Sequence, residues 1–269
     1  MITFADDPPH DLGAKMRFRI MVKETPLLTF LKGMPAFLRG YREIRRQAGM
    51  AEPVFPFGPF YPCLEDRHKE SGIATGHYFH QDLLVAGRIF ANHPVRHVDI
   101  GSRIDGLVAH VASFREIEVL DIRALTSAIP NIRFRCADLM APDFALIDYC
   151  DSLSCLHALE HFGLGRYGDR IDQRGYLTGW ENIHRMLQKG GKFYFSVPIG
   201  EQRIEFNAHR IFSVSYLLNG MIAGRYQLDA FSVVDDAGDL QRDPPLTPES
   251  IRNNFGCRYG CGIFELTKR

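Results

Sequence analysis

Arg96-His-Val-Asp-Ile-Gly-Ser-Arg-Ile-Asp-Gly106, followed by Glu118-Val-Leu-Asp-Ile-Arg123, decides how this chain is read. Val98 and Ile100 give the first segment the apolar run of a buried strand, which turns at Gly101 into a helix carrying Leu107, Val108 and Val111. The second segment reads as the next strand and closes on Asp121. In a parallel α/β sheet, a small residue after the first strand lets a ligand approach the backbone and the helix N-terminus. An acid at the tip of the second strand accepts hydrogen bonds from ribose hydroxyls. The spacing therefore outlines a nucleoside site. Arg103 stands where dinucleotide enzymes carry their second glycine. That disfavours a nicotinamide dinucleotide, whose pyrophosphate must lie directly on the turn.

Working outward, strands are expected near 96–101, 117–121, 132–135 and 146–150, alternating with helices or turns, which calls for a parallel sheet covered on both faces. Asp148-Tyr-Cys-Asp151 is expected to end the fourth strand and Ser152 to Ser154 to begin a turn. Side chains from Asp151 to Arg166 should then surround the reacting atoms, because the carboxyl ends of such strands face the ligand crevice. Tyr176 to Leu187 reads as an amphipathic helix stopped by Gly190 and Gly191, and Gly200 to Arg210 as a lid over the sheet. A helix near Ser213 to Met221 and strands at Tyr226–Val234 and Gly262–Thr267 complete the chain.

Hydrophobic content of 45% and a balance of 32 basic against 32 acidic residues describe a globular protein with no bulk charge to attract nucleic acid. The six cysteines are scattered, as suits reduced thiols in the cytoplasm. Cys257-Arg-Tyr-Gly-Cys261 supplies two ligands with no second Cys or His pair nearby in sequence, so no metal centre is expected. No apolar run approaches the roughly 20 residues of a membrane span. The first residues lack the basic-then-apolar order of a secretory signal.

Two parts are expected: an appendage and connector over 1–62 and the main domain over 63–269. Between Lys15 and Met50, Arg17, Arg19, Lys23, Lys32, Arg39, Arg42, Arg45 and Arg46 alternate with apolar residues, suggesting short helices broken near Pro26 and Pro35. Such a segment packs on the main domain or on a second subunit of a homodimer, or rests on an anionic membrane surface. Pro53, Pro56, Pro59 and Pro62 make the following stretch an extended connector.

Asp99-Ile-Gly101 with Ser102 to Gly106 resembles the first motif of class I S-adenosylmethionine-dependent methyltransferases, and Asp121 falls where their ribose-binding acid falls. Ala137-Asp138-Leu139 is similar to the third motif, whose acid accepts from the adenine amino group. Leu156-His-Ala-Leu-Glu-His161 is similar to the helix after the fourth strand, and Lys189 to Pro198 to the fifth-strand segment. His161-Phe-Gly-Leu-Gly-Arg-Tyr-Gly-Asp169 resembles a bacterial branch catalogued as a domain of unknown function, whose members accompany polysaccharide-synthesis enzymes. The resemblance implies a Rossmann-like doubly wound α/β sheet of about seven strands, mostly parallel with a closing antiparallel strand. It also implies S-adenosyl-L-methionine as cofactor, touched by Asp99, Gly101, Ser102, Arg103, Asp121, Ile122, Asp138, Leu139 and His157. Helices before the first strand line that pocket in the family, which singles out Tyr78, His80 and Gln81.

Transfer of a methyl group to a hydroxyl requires a positioned acceptor and a base, and His is the natural base near neutral pH. His157 and His161, four apart on an expected helix, and His209 beyond the fifth strand are the candidates, with Glu160 polarising an imidazole. Arg166, Tyr167 and Asp169 among three glycines, together with Asn207 and Arg210, offer charge and an aromatic face to a small-molecule or glycan acceptor. Two alternatives stand beside this reading. One is a nucleotide-sugar oxidoreductase; the other is a binding or scaffold protein in which Arg103 fills the pocket.

Overall fold

The computed structural model describes residues 26–49 and 55–269, and these fall into two units divided between Ile73 and Ala74. In the first unit one helix, α1 (Pro26–Ala48), runs unbroken through Pro35. The expected break at Pro35 does not occur: proline removes one hydrogen bond, and a helix of this length keeps the rest. Tyr41 packs edge-on against Phe57 and Phe60, and the Arg45 guanidinium lies 4.9 Å from the Phe57 ring. Residues 55–62 form neither helix nor strand and bend at Phe55 and Pro59. Arg17, Arg19, Lys23 and Pro53 fall outside the described residues. Among the described residues, no helix is long and apolar enough to cross a membrane.

The second unit opens with α2 (His77–Asn92) and continues into β1 (His97–Ile100), a π-helical turn over Ile104–Val108 leading into α3 (Ala109–Ala112), β2 (Ile117–Asp121) and β3 (Ile132–Cys136). Then come β4 (Cys150–Leu156), α4 (Gly175–Met186), β5 (Leu187–Ile199) and a small hairpin of β6 (Arg203–Glu205) and β7 (His209–Ile211). After α5 (Val214–Tyr216) the chain ends with β8 (Tyr226–Val234), β9 (Leu240–Arg242), α6 (Pro248–Arg252) and β10 (Gly260–Lys268). One sheet of eight strands has the order β3-β2-β1-β4-β5-β10-β8-β9. The first five are parallel, and β10 closes antiparallel between β5 and β8. This is the Rossmann-like arrangement, with one strand more than expected.

Strand alternation sends the two faces into separate cores. Phe193, Phe195 and Val197 meet Trp180 and Ile183 of α4, whereas Tyr194 and Val119 meet Val85, Ile89 and Val108 on the other side. Trp180 packs on Phe195 and Tyr226 with ring centroids 5.0 and 5.5 Å apart.

Two expectations need correction. The fourth strand begins at Cys150 rather than ending there, and Ser152 and Ser154 lie inside it. Asp151 therefore sits at the amino end of the strand, where it accepts from Val95 N and Arg96 N at 2.7 Å each, on the rim away from the crevice. Nor is there a helix through His157: only Leu159–His161 forms a 3-10 turn, and His157 itself takes φ +50°. His157 and His161 thus share no helical face.

Candidate functional site

The order of the parallel strands reverses between β1 and β4, the place where such sheets open a crevice. A cavity lies there, open to solvent at its mouth. Its walls follow the carboxyl ends of four strands: Gly101 after β1, Asp121 and Ile122 after β2, Asp138 and Leu139 after β3, and His157 and His161 after β4. Tyr167 and Asp169 complete the lining from the glycine-rich loop.

Local geometry explains each wall. Gly101 has φ +70°, and a Cβ there would meet Ala158 Cβ at 2.9 Å, so the turn requires glycine. Asp99 is fully buried and faces the interior: it accepts from Ser102 N at 3.0 Å, Ser102 Oγ at 2.9 Å and Ser154 Oγ. Burial pushes its carboxyl up to about 6, against the pull of those donors. Ser102 is likewise committed to Asp99, so both shape the turn from behind the cavity. Arg103 lies outside the lining. Its guanidinium grips Asp105 at 3.0 and 2.7 Å, and the side chain is 57% exposed, so it does not fill the pocket.

Asp121 lines the cavity with a partner already in place. Arg123 donates to Oδ1 from its backbone N (2.8 Å) and Nε (3.0 Å), and to Oδ2 from Nη2 (2.6 Å). The same guanidinium lies 4.4 Å from the Tyr167 ring, so Arg123 spans the mouth between two lining residues. Sequence reading passed over it. Asp138 accepts from Met140 N at 2.8 Å, and Asn182 of α4 donates to Leu139 O at 2.9 Å, holding this wall in place.

His161 Nδ1 donates to Ala208 O at 2.6 Å, which leaves the Nε2 lone pair unprotonated; Glu160 Oε1 is 3.8 Å away. Burial lowers the His161 pKa, partly offset by Glu160. Glu160 bonds more closely to His157, with 2.8 Å between Oε1 and Nδ1. Burial works against the Glu160 charge, yet the two imidazoles hold its pKa below the ordinary value. For His157, burial is outweighed by Cys261 and Glu160, which push it up to about 10. The His157 ring stacks on His77 at 5.2 Å.

The other predicted residues separate by role. Asp169 accepts from Gly163 N, Gly165 N and Tyr167 N at 2.8, 3.1 and 3.2 Å, and so folds the glycine-rich loop. Arg166 is exposed and donates to Ala208 O at 3.1 Å. Arg210 is buried, donating to Glu160 O, Phe162 O and Gln173 O, and does not face the cavity. Asn207 is exposed in the turn of the β6–β7 hairpin, and His209 bonds to Glu205 at 3.0 Å, with its ring 6.5 Å from that of His161. Gln81 is buried and accepts from Ser196 Oγ at 2.6 Å, while Tyr78 is half-exposed with its ring 5.3 Å from that of His157.

A family model described as "Caenorhabditis protein of unknown function, DUF268" matches residues 115–243, just under half of the chain. That description names Caenorhabditis and gives no support to a bacterial placement. No curated protein matches the sequence. Among solved structures, the chain is similar to the [4+2]-cyclase SpnF, with 15% identity over 70% of this chain and 80% of that one and a TM-score of 0.49. It is similar to the N-methyltransferase NodS from Bradyrhizobium japonicum in complex with S-adenosyl-L-homocysteine, with 11% identity over 77% and 91% and a TM-score of 0.47. It is also similar to the 1,6-didemethyltoxoflavin-N1-methyltransferase of Burkholderia thailandensis, with 17% identity over 70% and 78% and a TM-score of 0.46. Identities this low leave the chemistry to be read from the cavity itself.

Proposed function

We propose that this chain is a cytoplasmic S-adenosylmethionine-dependent methyltransferase that O-methylates a sugar or glycan precursor. The observation that carries the reading is the single cavity wall on which Gly101, Asp121 and Asp138 meet at successive strand ends, in the order of the motifs they resemble. Those residues fit an adenosyl group: Asp121 for the ribose hydroxyls, Asp138 for the adenine amino group, Ile122 and Leu139 as apolar walls. When bound, the cofactor supplies an electrophilic methyl on a sulfonium that is its own leaving group.

The protein's part is positioning and proton removal. His161 suits the base role, because Ala208 fixes its tautomer and burial keeps it neutral. His209, engaged by Glu205 on the hairpin, is the second choice. Tyr167, Arg166 and Asn207 remain to meet the acceptor, while Asp169 and Arg210 hold the loops that carry them. For α1, whose Leu28, Leu31 and Leu38 are exposed alongside Arg39, Arg42 and Arg46, the reading adds peripheral contact with anionic membrane.

Calorimetry with S-adenosylhomocysteine tests the cofactor. Binding that collapses in Asp121→Ala is the expected result. Tight NAD binding instead would make this an oxidoreductase, and silence with both would make it a scaffold. Co-sedimentation with anionic vesicles at low salt, lost on deleting residues 1–50, tests the membrane contact; unchanged sedimentation would point to a second copy as the cover for α1.

A further inference from the structure

Three side chains that no sequence spacing connects meet beside the cavity. His77 opens α2, His157 follows β4 and Cys261 lies at the start of β10, and one ligating atom from each falls within 4.8 Å of the other two. The topology brings them together. β10 runs antiparallel to β5, so Cys261, opposite Pro198, arrives at the carboxyl rim of the parallel strands. There the backbone N–H of His157 bonds to Ser196 O at 3.0 Å.

Each histidine is held by one nitrogen and offers the other. His157 Nδ1 is tied to Glu160, and its Nε2 is buried with no hydrogen-bond partner among the described residues, in a side chain only 3% exposed. The His77 ring is bonded to the backbone carbonyl of Tyr259. Cys261 is fully buried. An orphaned buried nitrogen of this kind costs about 1–3 kcal/mol, a penalty a fold rarely carries without use. The Cys261 thiol donates to Gln81 Oε1 at 3.8 Å, so the unsatisfied inward atom is His157 Nε2; a metal ion engages it together with the other two. Two imidazoles and a thiolate are the donor set of zinc and are poor ligands for magnesium or calcium. The Glu160–His157 pair supplies the outer carboxylate that orients a metal-bound histidine.

We propose that His77, His157 and Cys261 bind a zinc ion, with Glu160 as the positioning residue for His157. Binding releases to solvent the protons carried by His157 Nε2 and the Cys261 thiol. Three protein ligands leave a fourth position for water or for a ligand oxygen. Because His157 also lines the cavity, the ion stands next to whatever that cavity holds.

The full chain, stripped with a chelator, is titrated with cobalt(II) and then zinc against a chromophoric competitor. The expected result is one equivalent of metal, with a sulfur-to-cobalt charge-transfer band and the intense visible bands of a four-coordinate ion, both bleached by zinc. Cys261→Ser removes the charge-transfer band, Glu160→Gln weakens affinity by about 10–100-fold, and Cys257→Ser, whose thiol lies outside the cluster, changes neither. Absence of stoichiometric binding in the wild type, or a thiolate band that survives Cys261→Ser, overturns the proposal. The wild-type titration decides even if a variant fails to fold. It reads the metal alone, so its failure and a failure of cofactor binding are distinguishable.

Discussion

Two buried polar clusters grow from the same central strands and are finished in opposite ways. In the first, Ser154 Oγ donates to Asp99 and so accepts from His97 Nε2 at 3.1 Å, which leaves His97 Nδ1 to accept from Ser152 Oγ at 2.8 Å. Every one of these groups has its partner inside the fold. In the second, His157 Nε2 and Glu160 Oε2 have none among the described residues. A closed network fixes strand register; an unfinished one keeps coordination capacity for something that arrives later.

The largest effect should come from opening the closed network. Asp99→Ala strands Ser102 N, Ser102 Oγ and Ser154 Oγ, and urea unfolding should show a loss of about 3 kcal/mol. Glu160→Gln in metal-stripped protein should lose less than about 1 kcal/mol, because its cluster is unfinished already; equal losses would erase the distinction.

Acidification sharpens the same contrast. Burial, with Arg115 adding to it, pushes His97 down to about 3 from an ordinary value of 6.5. The unfolded chain then binds the proton that the folded chain refuses, so the His97 contribution is complete above pH 6.5 and is lost as pH falls from 6.5 toward 3. Between pH 6.5 and pH 5 that loss is about 2 kcal/mol. Comparison with His97→Gln isolates it from the opposite slopes of Asp82 and Asp99, and identical pH slopes in the two proteins would refute it.

The smallest effect lies at the cavity rim, where Asp121 is satisfied by an exchangeable partner. The Arg123 side chain is 47% exposed, so its ion pair is worth at most about 1 kcal/mol. Arg123→Ala should tighten S-adenosylhomocysteine binding by up to about fivefold in calorimetry. Weakened binding would instead make Arg123 part of the ligand's own contacts.

The strand-turn pattern at Val98 to Gly101 and the acid at Asp121 were legible because buried strands announce themselves by apolar runs and turns by glycine. The fourth strand was misplaced for the converse reason. Ser152 and Ser154 are buried because His97 and Asp99 use their hydroxyls, so a central strand reads as a polar turn. Arg103 reads as an obstacle in the sequence alone, because nothing in its spacing reveals that Asp105 holds it aside. The cysteine pair at 257 and 261 suggested no metal because local spacing hides the fact that an antiparallel last strand returns Cys261 to residues 77 and 157.

Arg123 has a consequence for turnover of whatever enters the crevice. Since it already neutralises Asp121, the vacated pocket never exposes a bare anion to solvent. Arrival and departure become an exchange of one partner for another, each offsetting much of the other's desolvation, so occupancy can be reversed without a large energetic step at the acid.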